Sequence, residues 1–361
     1  MIVGWILFIV FVIWAIGFFY LRGEDLSSYD LPEGQQFSTG DALNEEHQAV
    51  HNKLSAITTK ADGSPASRKI NAMRERMDAM FAGIEFDSMF IAVNAAGVPA
   101  EWVIAPGVDS HRRVLYIHGG AFVMGSPSSH RVITTKFSKI ANAAVLAIDY
   151  RLMPENKRFA GIEDCRTAYQ WILENGPQGP DTASHLIVAG DSAGGNLTLS
   201  TIAWARDQNI RSADAAIALS PATDSTFSSP SMKDNIASDV MLGPMFKLLS
   251  KIPKTALLWM TWLNNRINPR DSVISPTRGD LSNLPPTLVH ASGVEMLRDD
   301  ARRYVNKAAA AGSIATLQVW NHVVHVWHIF DPDLTEARQA FDEIENFIER
   351  YAPNSRHHPD E

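Results

Sequence analysis

The chain has a single cysteine, Cys165, in 361 residues, so neither an internal disulfide nor a thiolate-based metal site is available to it. Cys165 falls at helical spacing with Ile162, Tyr169 and Ile172, the position of a small buried apolar residue rather than a reactive thiol. Basic residues are also in deficit: 32 Lys and Arg against 40 Asp and Glu give a formal net charge of -8, and no basic stripe breaks the balance. That argues against a nucleic-acid partner. There is no internal repeat or low-complexity tract, which removes solenoid and fibrous architectures. With 45% hydrophobic residues over this length, the chain can bury one large core or two modest ones.

The sharpest local absence is of charge. Residues 1–21 carry none on their side chains, and Ile, Val, Phe, Trp and Leu dominate the run. As one continuous α-helix it would span roughly 30 Å, the thickness of a bilayer hydrocarbon core, so residues 1–22 are expected to form a transmembrane anchor. A cleaved signal peptide is the competing reading; the missing basic start, the length of the run and the lack of a small-x-small cleavage site weigh against it. Phe18, Phe19, Tyr20 and Arg22 suit an interfacial belt, while a lone basic residue near the ends leaves the orientation open.

Residues 23–43, rich in Gly, Ser, Asp and Pro without periodicity, read as a linker. Helical patterns at 44–58 and 66–82 (Ile70, Met73, Met77, Met80, Phe81) suggest N-terminal cap helices within 44–84. Strand signals at about 86–93 and 99–105 suggest an antiparallel hairpin. Apolar strands at 114–117, 144–149, 186–189, 215–219, 287–290 and 316–320 then alternate with helical patterns at about 128–141, 159–175, 195–207, 296–311 and 334–350. This predicts an α/β fold: a mostly parallel central sheet, helices on both faces, and an active site at the carboxyl ends of the strands.

The rhythm breaks at 223–283, where patterns at about 240–251 and 254–265 contain Met241, Met245, Phe246, Trp259, Met260 and Trp262. A cap insertion that supplies an adaptable apolar pocket is expected there, with a helical pair completing the core as the alternative. The core is thereby divided into 85–222 and 284–352, and 353–361 form a frayed tail.

Chemistry concentrates at residues 186–196. An apolar run passes through Gly190-Asp191-Ser192-Ala193-Gly194 into a helical pattern at Leu197, Leu199, Ile202 and Ala203, the strand-turn-helix context of a nucleophile elbow. A serine on so sharp a turn leaves no room for side chains two positions to either side, and the following helix turns its positive end toward a developing oxyanion. Earlier, the strand ending at Ile117 runs into His118-Gly119-Gly120-Ala121-Phe122. With the N–H of Ala193, those of Gly119 and Gly120 would make three oxyanion donors.

Together with Asp149-Tyr150-Arg151-Leu152-Met153-Pro154-Glu155, these motifs resemble the hormone-sensitive-lipase-like (type IV) family of α/β-hydrolase esterases over roughly residues 85–350. The layout of an anchor before such a domain is similar to that of arylacetamide deacetylases. Ala121 stands where the family often has a third glycine, and Ala160 where it often has proline. The resemblance implies the α/β-hydrolase fold with a helical cap, a small-molecule ester substrate, an acyl-enzyme on Ser192, and no metal or cofactor.

It further implies a carboxylate in Gly293-Val294-Glu295-Met296-Leu297-Arg298-Asp299, with Glu295 where aspartate is commoner; Asp299 and Asp300 are the alternatives. The base is implied in Val324-His325-Val326-Trp327, namely His325, with His322 and His328 packing locally. The order Ser, Glu, His suits this fold rather than the serine proteases. Phe122 is expected at the substrate pocket, and His118 is expected to shape the oxyanion loop. Hydrolysis of short- to medium-chain acyl esters is the leading activity, while amide or sugar deacetylation and transfer to another acceptor stay open. A catalytically silent receptor on the same fold is opposed by three filled triad positions.

Overall fold

A computed structural model describes residues 2–38, 44–58, 66–81 and 83–354. The expected tail beyond Asn354, and short parts of the expected linker and N-terminal cap, lie outside these residues. In chain order come helix α1 (Ile2–Ile16), strand β1 (Gln35–Phe37) and helices α2 (Glu45–Thr58) and α3 (Ala66–Ala79). Strands β2 (Met89–Ala95), β3 (Val98–Ile104) and β4 (Asp109–Ile117) follow, then α4 (Arg131–Ile140), β5 (Ala143–Ile148) and α5 (Arg158–Glu174). A two-residue ladder of β6 (Asn175–Gly176) and β7 (Gly179–Pro180) precedes β8 (His185–Asp191), α6 (Ala193–Asp207) and β9 (Ala215–Leu219). The insertion carries α7 (Ser231–Asp234), α8 (Gly243–Phe246) and α9 (Lys254–Asn265), and the chain returns through β10 (Thr287–Ser292), α10 (Arg298–Ala310), β11 (Ala315–Trp320) and α11 (Thr335–Tyr351).

Among the described residues, nine strands form one sheet in the order β1-β11-β10-β9-β8-β4-β5-β3-β2. All pairings are parallel except β3 with β5 and β2 with β3. The strands read as continuous apolar runs because both faces are covered. Leu115 and Ile117 of β4 join the core beneath α5, α6 and α10 with Tyr169, Leu197 and Tyr304, whereas Val114 and Tyr116 join that beneath α4 and α11 with Phe137 and Phe341. Each such fully buried aliphatic side chain stabilises the fold by about 1.5–3 kcal/mol relative to exposure. Cys165 is buried in the first of these cores, and burial pushes its thiol pKa upward, away from reactivity.

Two expectations require correction. The N-terminal apolar run is not α-helical throughout: α1 has 15 residues, about 22 Å of rise, and passes directly into a π-helical turn at Gly17–Leu21. No helix among the described residues is long and apolar enough to cross a membrane. The reason lies in packing. A side chain at Gly17 would run into the Trp259 indole of α9, that indole's Nε1–H donates to the Ile13 carbonyl at 3.0 Å, and Leu21 is buried. The chain is therefore drawn against the cap at its last turns.

Nor are residues 23–38, the described part of the expected linker, a free one. Asp30 pairs with Arg303 of α10 at 2.6 Å, Glu24 with Lys307 at 3.1 Å, and β1 lies beside β11 in register Gln35 with Gln318. From the insertion, Ser238, Asp239 and Val240 line the cavity beside the candidate triad, while Trp259 faces the N-terminal segment.

Candidate active site

Ser192 sits between β8 and α6 with φ 51° and ψ -114°, a left-handed turn that a non-glycine residue adopts only when its surroundings compel it. The surroundings are tight. A Cβ at Gly194 would lie 1.9 Å from the Ile117 carbonyl oxygen, and one at Gly190 would lie 2.5 Å from the same atom, so side chains are excluded on both sides of the serine. The Ser192 N–H donates to Leu219 O at 2.7 Å, tying the elbow to the end of β9.

The loop after β11 brings His325 to this elbow, with Nε2 2.9 Å from Ser192 Oγ. On the other side of the ring, Nδ1 lies 2.5 Å from Glu295 Oε2, in the loop after β10. Glu295 is fully buried, and its second oxygen accepts the Ser292 N–H at 2.8 Å. A carboxylate can only accept, so the proton sits on Nδ1 and the Nε2 lone pair faces the serine hydroxyl. Burial pulls the His325 pKa down. The hydrogen bond and charge of Glu295, with the charges of Asp239 and Asp191, outweigh it and hold the imidazole above its ordinary value.

The alternative acids are engaged elsewhere. Asp299 accepts the Ser231 N–H at 2.9 Å and pairs with Arg298 at 2.9 Å and Arg302 at 3.1 Å. Asp300 accepts the N–H groups of Thr223 and Asp224 at 2.8 and 2.9 Å. Both hold the chain leaving β9. His328 pairs with His290 at 2.9 Å among buried aromatic rings, and burial together with the His290 charge drives its pKa well down; His322 lines the cavity beside His325.

The oxyanion loop differs from its expected form. The Gly119 N–H does not face the serine; it donates to Asp191 Oδ1 at 3.0 Å, and a Cβ there would strike the same carboxylate. Among the described residues nothing accepts from the amides of Gly120 and Ala121, where the backbone runs through φ 111° and 53°. The amide of Ala193, first in α6, has no intrahelical acceptor. These three N–H groups are thus without an internal partner among the described residues, whereas that of Gly119 is taken by Asp191.

Behind the loop lies a buried network. Tyr116 donates to Asp191 Oδ1 at 2.6 Å, and His130 stands 3.4 Å from Asp191 Oδ2. Burial alone would raise the Asp191 pKa, but the His130 charge and these bonds leave it lowered; burial would lower that of His130, but Asp191 leaves it raised. His118 stacks on Tyr150 at 4.4 Å, and the Tyr150 hydroxyl donates to the His118 carbonyl at 3.0 Å. Burial and the nearby His130 depress the His118 pKa to about 3, which suits a neutral shaping role for its ring.

The cap meets this loop through Arg74 of α3, which donates to the carbonyls of Val123 and Met153 at 2.7 and 2.9 Å and pairs with Glu155 at 2.8 Å. Arg74 had no distinguishing signal in sequence, because a charged residue on an amphipathic helix reads as solvated. A cavity of about 190 Å³ opens beside the histidine, lined by His51, Ser238, Asp239, Val240, Val294, Glu295, His322, Val323, Val324 and His325. Phe122 is not part of that lining; its ring carries the Arg158 guanidinium 3.2 Å from its centroid.

Residues 114–329 match the family model described as alpha/beta hydrolase fold. The chain belongs to the α/β-hydrolase family. Relatives include an acetyl-hydrolase of Streptomyces hygroscopicus, 35% identical over 250 residues, covering 69% of this chain and 79% of that protein. The carboxylesterase/phospholipase LipF of Mycobacterium tuberculosis is 34% identical over 262 residues, covering 71% and 68%. A crystal structure of an esterase from the bacterial hormone-sensitive lipase family superposes with a TM-score of 0.74 at 32% identity, covering 86% of this chain and 99% of that one. Within the α/β-hydrolases the chain is thus a serine esterase of the hormone-sensitive-lipase-like branch.

Proposed function

We propose that the enzyme hydrolyses short- to medium-chain acyl esters of small molecules through an acyl-enzyme on Ser192. His325 Nε2 takes the Ser192 proton as Oγ bonds to the ester carbonyl carbon, and the resulting oxyanion is held by the amides of Gly120, Ala121 and Ala193. When the tetrahedral adduct collapses, the bond to the alcohol oxygen breaks and His325 returns the proton to it. Water, deprotonated by the same nitrogen, then releases the acid and regenerates the serine. Glu295 fixes the ring and stabilises its protonated form. The observation that carries this reading is the continuous chain from Ser192 Oγ through His325 to the buried Glu295, at 2.9 and 2.5 Å.

The test is turnover of p-nitrophenyl butyrate with fluorophosphonate labelling. Ser192→Ala should lose activity by at least about a thousandfold and take no label, while unfolding as the parent does. Parent-like turnover in that variant would overturn the reading.

We also infer that the N-terminal segment holds the enzyme at a membrane. Trp5, Phe8, Ile9, Phe11, Ile13 and Phe19 are exposed over a much wider arc than one seam, away from the side that meets the cap, a pattern that calls for an apolar solvent rather than a single partner. At its far end Arg22 lies over Phe18 and Arg270 over Tyr20, as at a headgroup boundary. Flotation with phospholipid vesicles tests this: the full chain should float and a chain lacking residues 1–22 should not.

A further inference from the structure

The loop that carries Glu295 is tied to the core by the Gly293 N–H, which donates to the Trp320 carbonyl at 2.8 Å, and to the cap by four side chains. The Asn235 side-chain amide donates to the carbonyls of Gly293 and Glu295 at 3.3 and 2.9 Å. Ser238 Oγ donates to the Val294 carbonyl at 2.9 Å, and Ser231 Oγ to that of Met296 at 2.7 Å. Asp239 closes the set: its Oδ2 accepts the N–H of Met296, next to Glu295, at 2.9 Å. Its Oδ1 accepts the N–H groups of Met241 and Leu242 at 3.0 and 2.8 Å, so one buried carboxylate joins the turn into α8 to the acid loop.

We propose that Asp239 is a positioning residue for ester hydrolysis: it clamps the Glu295 loop onto the cap and places a second negative charge beside His325. This rests on the assignment of Ser192, His325 and Glu295 to the reaction. Two observations separate it from an ordinary turn-capping aspartate. Asp239 lines the same cavity as His325, and among the described residues its carboxylate has backbone N–H partners and no cationic side chain. The positive charge nearest in purpose is the imidazolium that forms when Ser192 gives up its proton.

The groups around His325 are Glu295 from the loop after β10, Asp239 from the cap, Asp191 from the end of β8 and His328 from its own loop, with His51 of α2 and His322 on the shared cavity wall. After burial, which lowers it, and Glu295, which raises it, Asp239 is the next influence on the His325 pKa, and it acts upward. Removing that charge makes the protonated ring less favourable, so the ring titrates at lower pH.

The test is the pH dependence of p-nitrophenyl butyrate hydrolysis, with kcat counted per fluorophosphonate-labelled site so that misfolded protein does not contribute. Asp239→Asn should lower kcat by about ten- to a hundredfold with KM little changed, and should move the acid limb of kcat/KM to lower pH. Asp239→Glu keeps the charge while disturbing the clamp, so its kcat should fall with the acid limb near its parental position. Asn235→Ala and Ser238→Ala cut the clamp without touching a charge and should likewise lower kcat alone. A parental acid limb in Asp239→Asn would overturn the charge role, and parental kcat in both cap variants would overturn the clamp, even if Asp239→Asn could not be purified. Loss of all activity in Ser192→Ala together with parental behaviour in every cap variant would leave the hydrolase reading standing and this one refuted.

Discussion

The Gly119 amide and the Asp191 carboxylate are bonded at 3.0 Å, across the gap between the oxyanion loop and the residue before the nucleophile. In the proposed oxyanion hole this bond occupies the Gly119 N–H and anchors the turn that leads to the two following amides. Asp191→Ala should therefore lower kcat by about a hundredfold, comparable to loss of an oxyanion donor, although Asp191 itself offers no donor. Asp191→Asn, which can still accept from Gly119, should recover part of that loss. Equal kcat in the Ala variant and the parent, measured on p-nitrophenyl butyrate, would show that the loop holds its shape unaided.

Glu295 spans from the Ser292 amide to His325 with both oxygens, at 2.8 and 2.5 Å. Aspartate at this position is shorter by one methylene and can satisfy only one of these contacts without moving a loop pinned on every carbonyl from 293 to 296. Glu295→Asp is expected to cost about ten- to a hundredfold in kcat despite restoring the residue commoner in the family.

The reaction needs a neutral imidazole, so kcat/KM should rise with pH through the free-enzyme pKa of His325, which lies above the ordinary histidine value. Glu295→Gln removes the main influence raising it, leaving burial to act against less opposition. The acid limb should shift downward in pH while the plateau falls. A plateau loss without movement of the limb would assign the limb to another group.

Burial and the neighbouring Asp224 push the pKa of Asp300 up to about 7, while Arg278, 2.9 Å from Asp224, helps keep that second acid ionised against the effect of its own burial. Between about pH 4 and pH 7 the folded protein keeps a proton on Asp300 that the unfolded chain releases. Stability attributable to this site therefore falls as pH rises through that window and levels off above it. Asp300→Asn, neutral throughout, should show a smaller drop in Tm from pH 5 to pH 8 than the parent, read by calorimetry; an unchanged drop would place the slope elsewhere.

Much of this was legible from residue order. The main-sheet strands β4, β5 and β8 to β11 announced themselves because a sheet covered on both faces demands unbroken apolar runs, and β9 spans the residues expected for it. Ser192 was legible because the glycines around it have a steric cause visible in spacing. Other features depend on direction rather than type. Gly119 and Gly120 are the same letter, and only the path of the backbone decides which amide meets Asp191. β1 has too few residues to show a period, and its partner lies at the other end of the chain. Asp239 in the insertion resembles any turn aspartate until the acid loop is brought against it.

The pairing of β1 with β11 also has a consequence in time. β1 occupies the sheet edge beside Ala315–Trp320, a strand made long after it on the ribosome, and Asn321 N–H donates to Phe37 O at 2.9 Å immediately before the histidine loop. The edge cannot close until β11 has emerged, and it then closes across a very long loop, a long-range contact of the kind that slows folding. The loop bearing His325 is thus ordered in the same late step that secures the N-terminal segment. A chain interrupted before β11 would have its nucleophile but neither its base nor its fastened beginning.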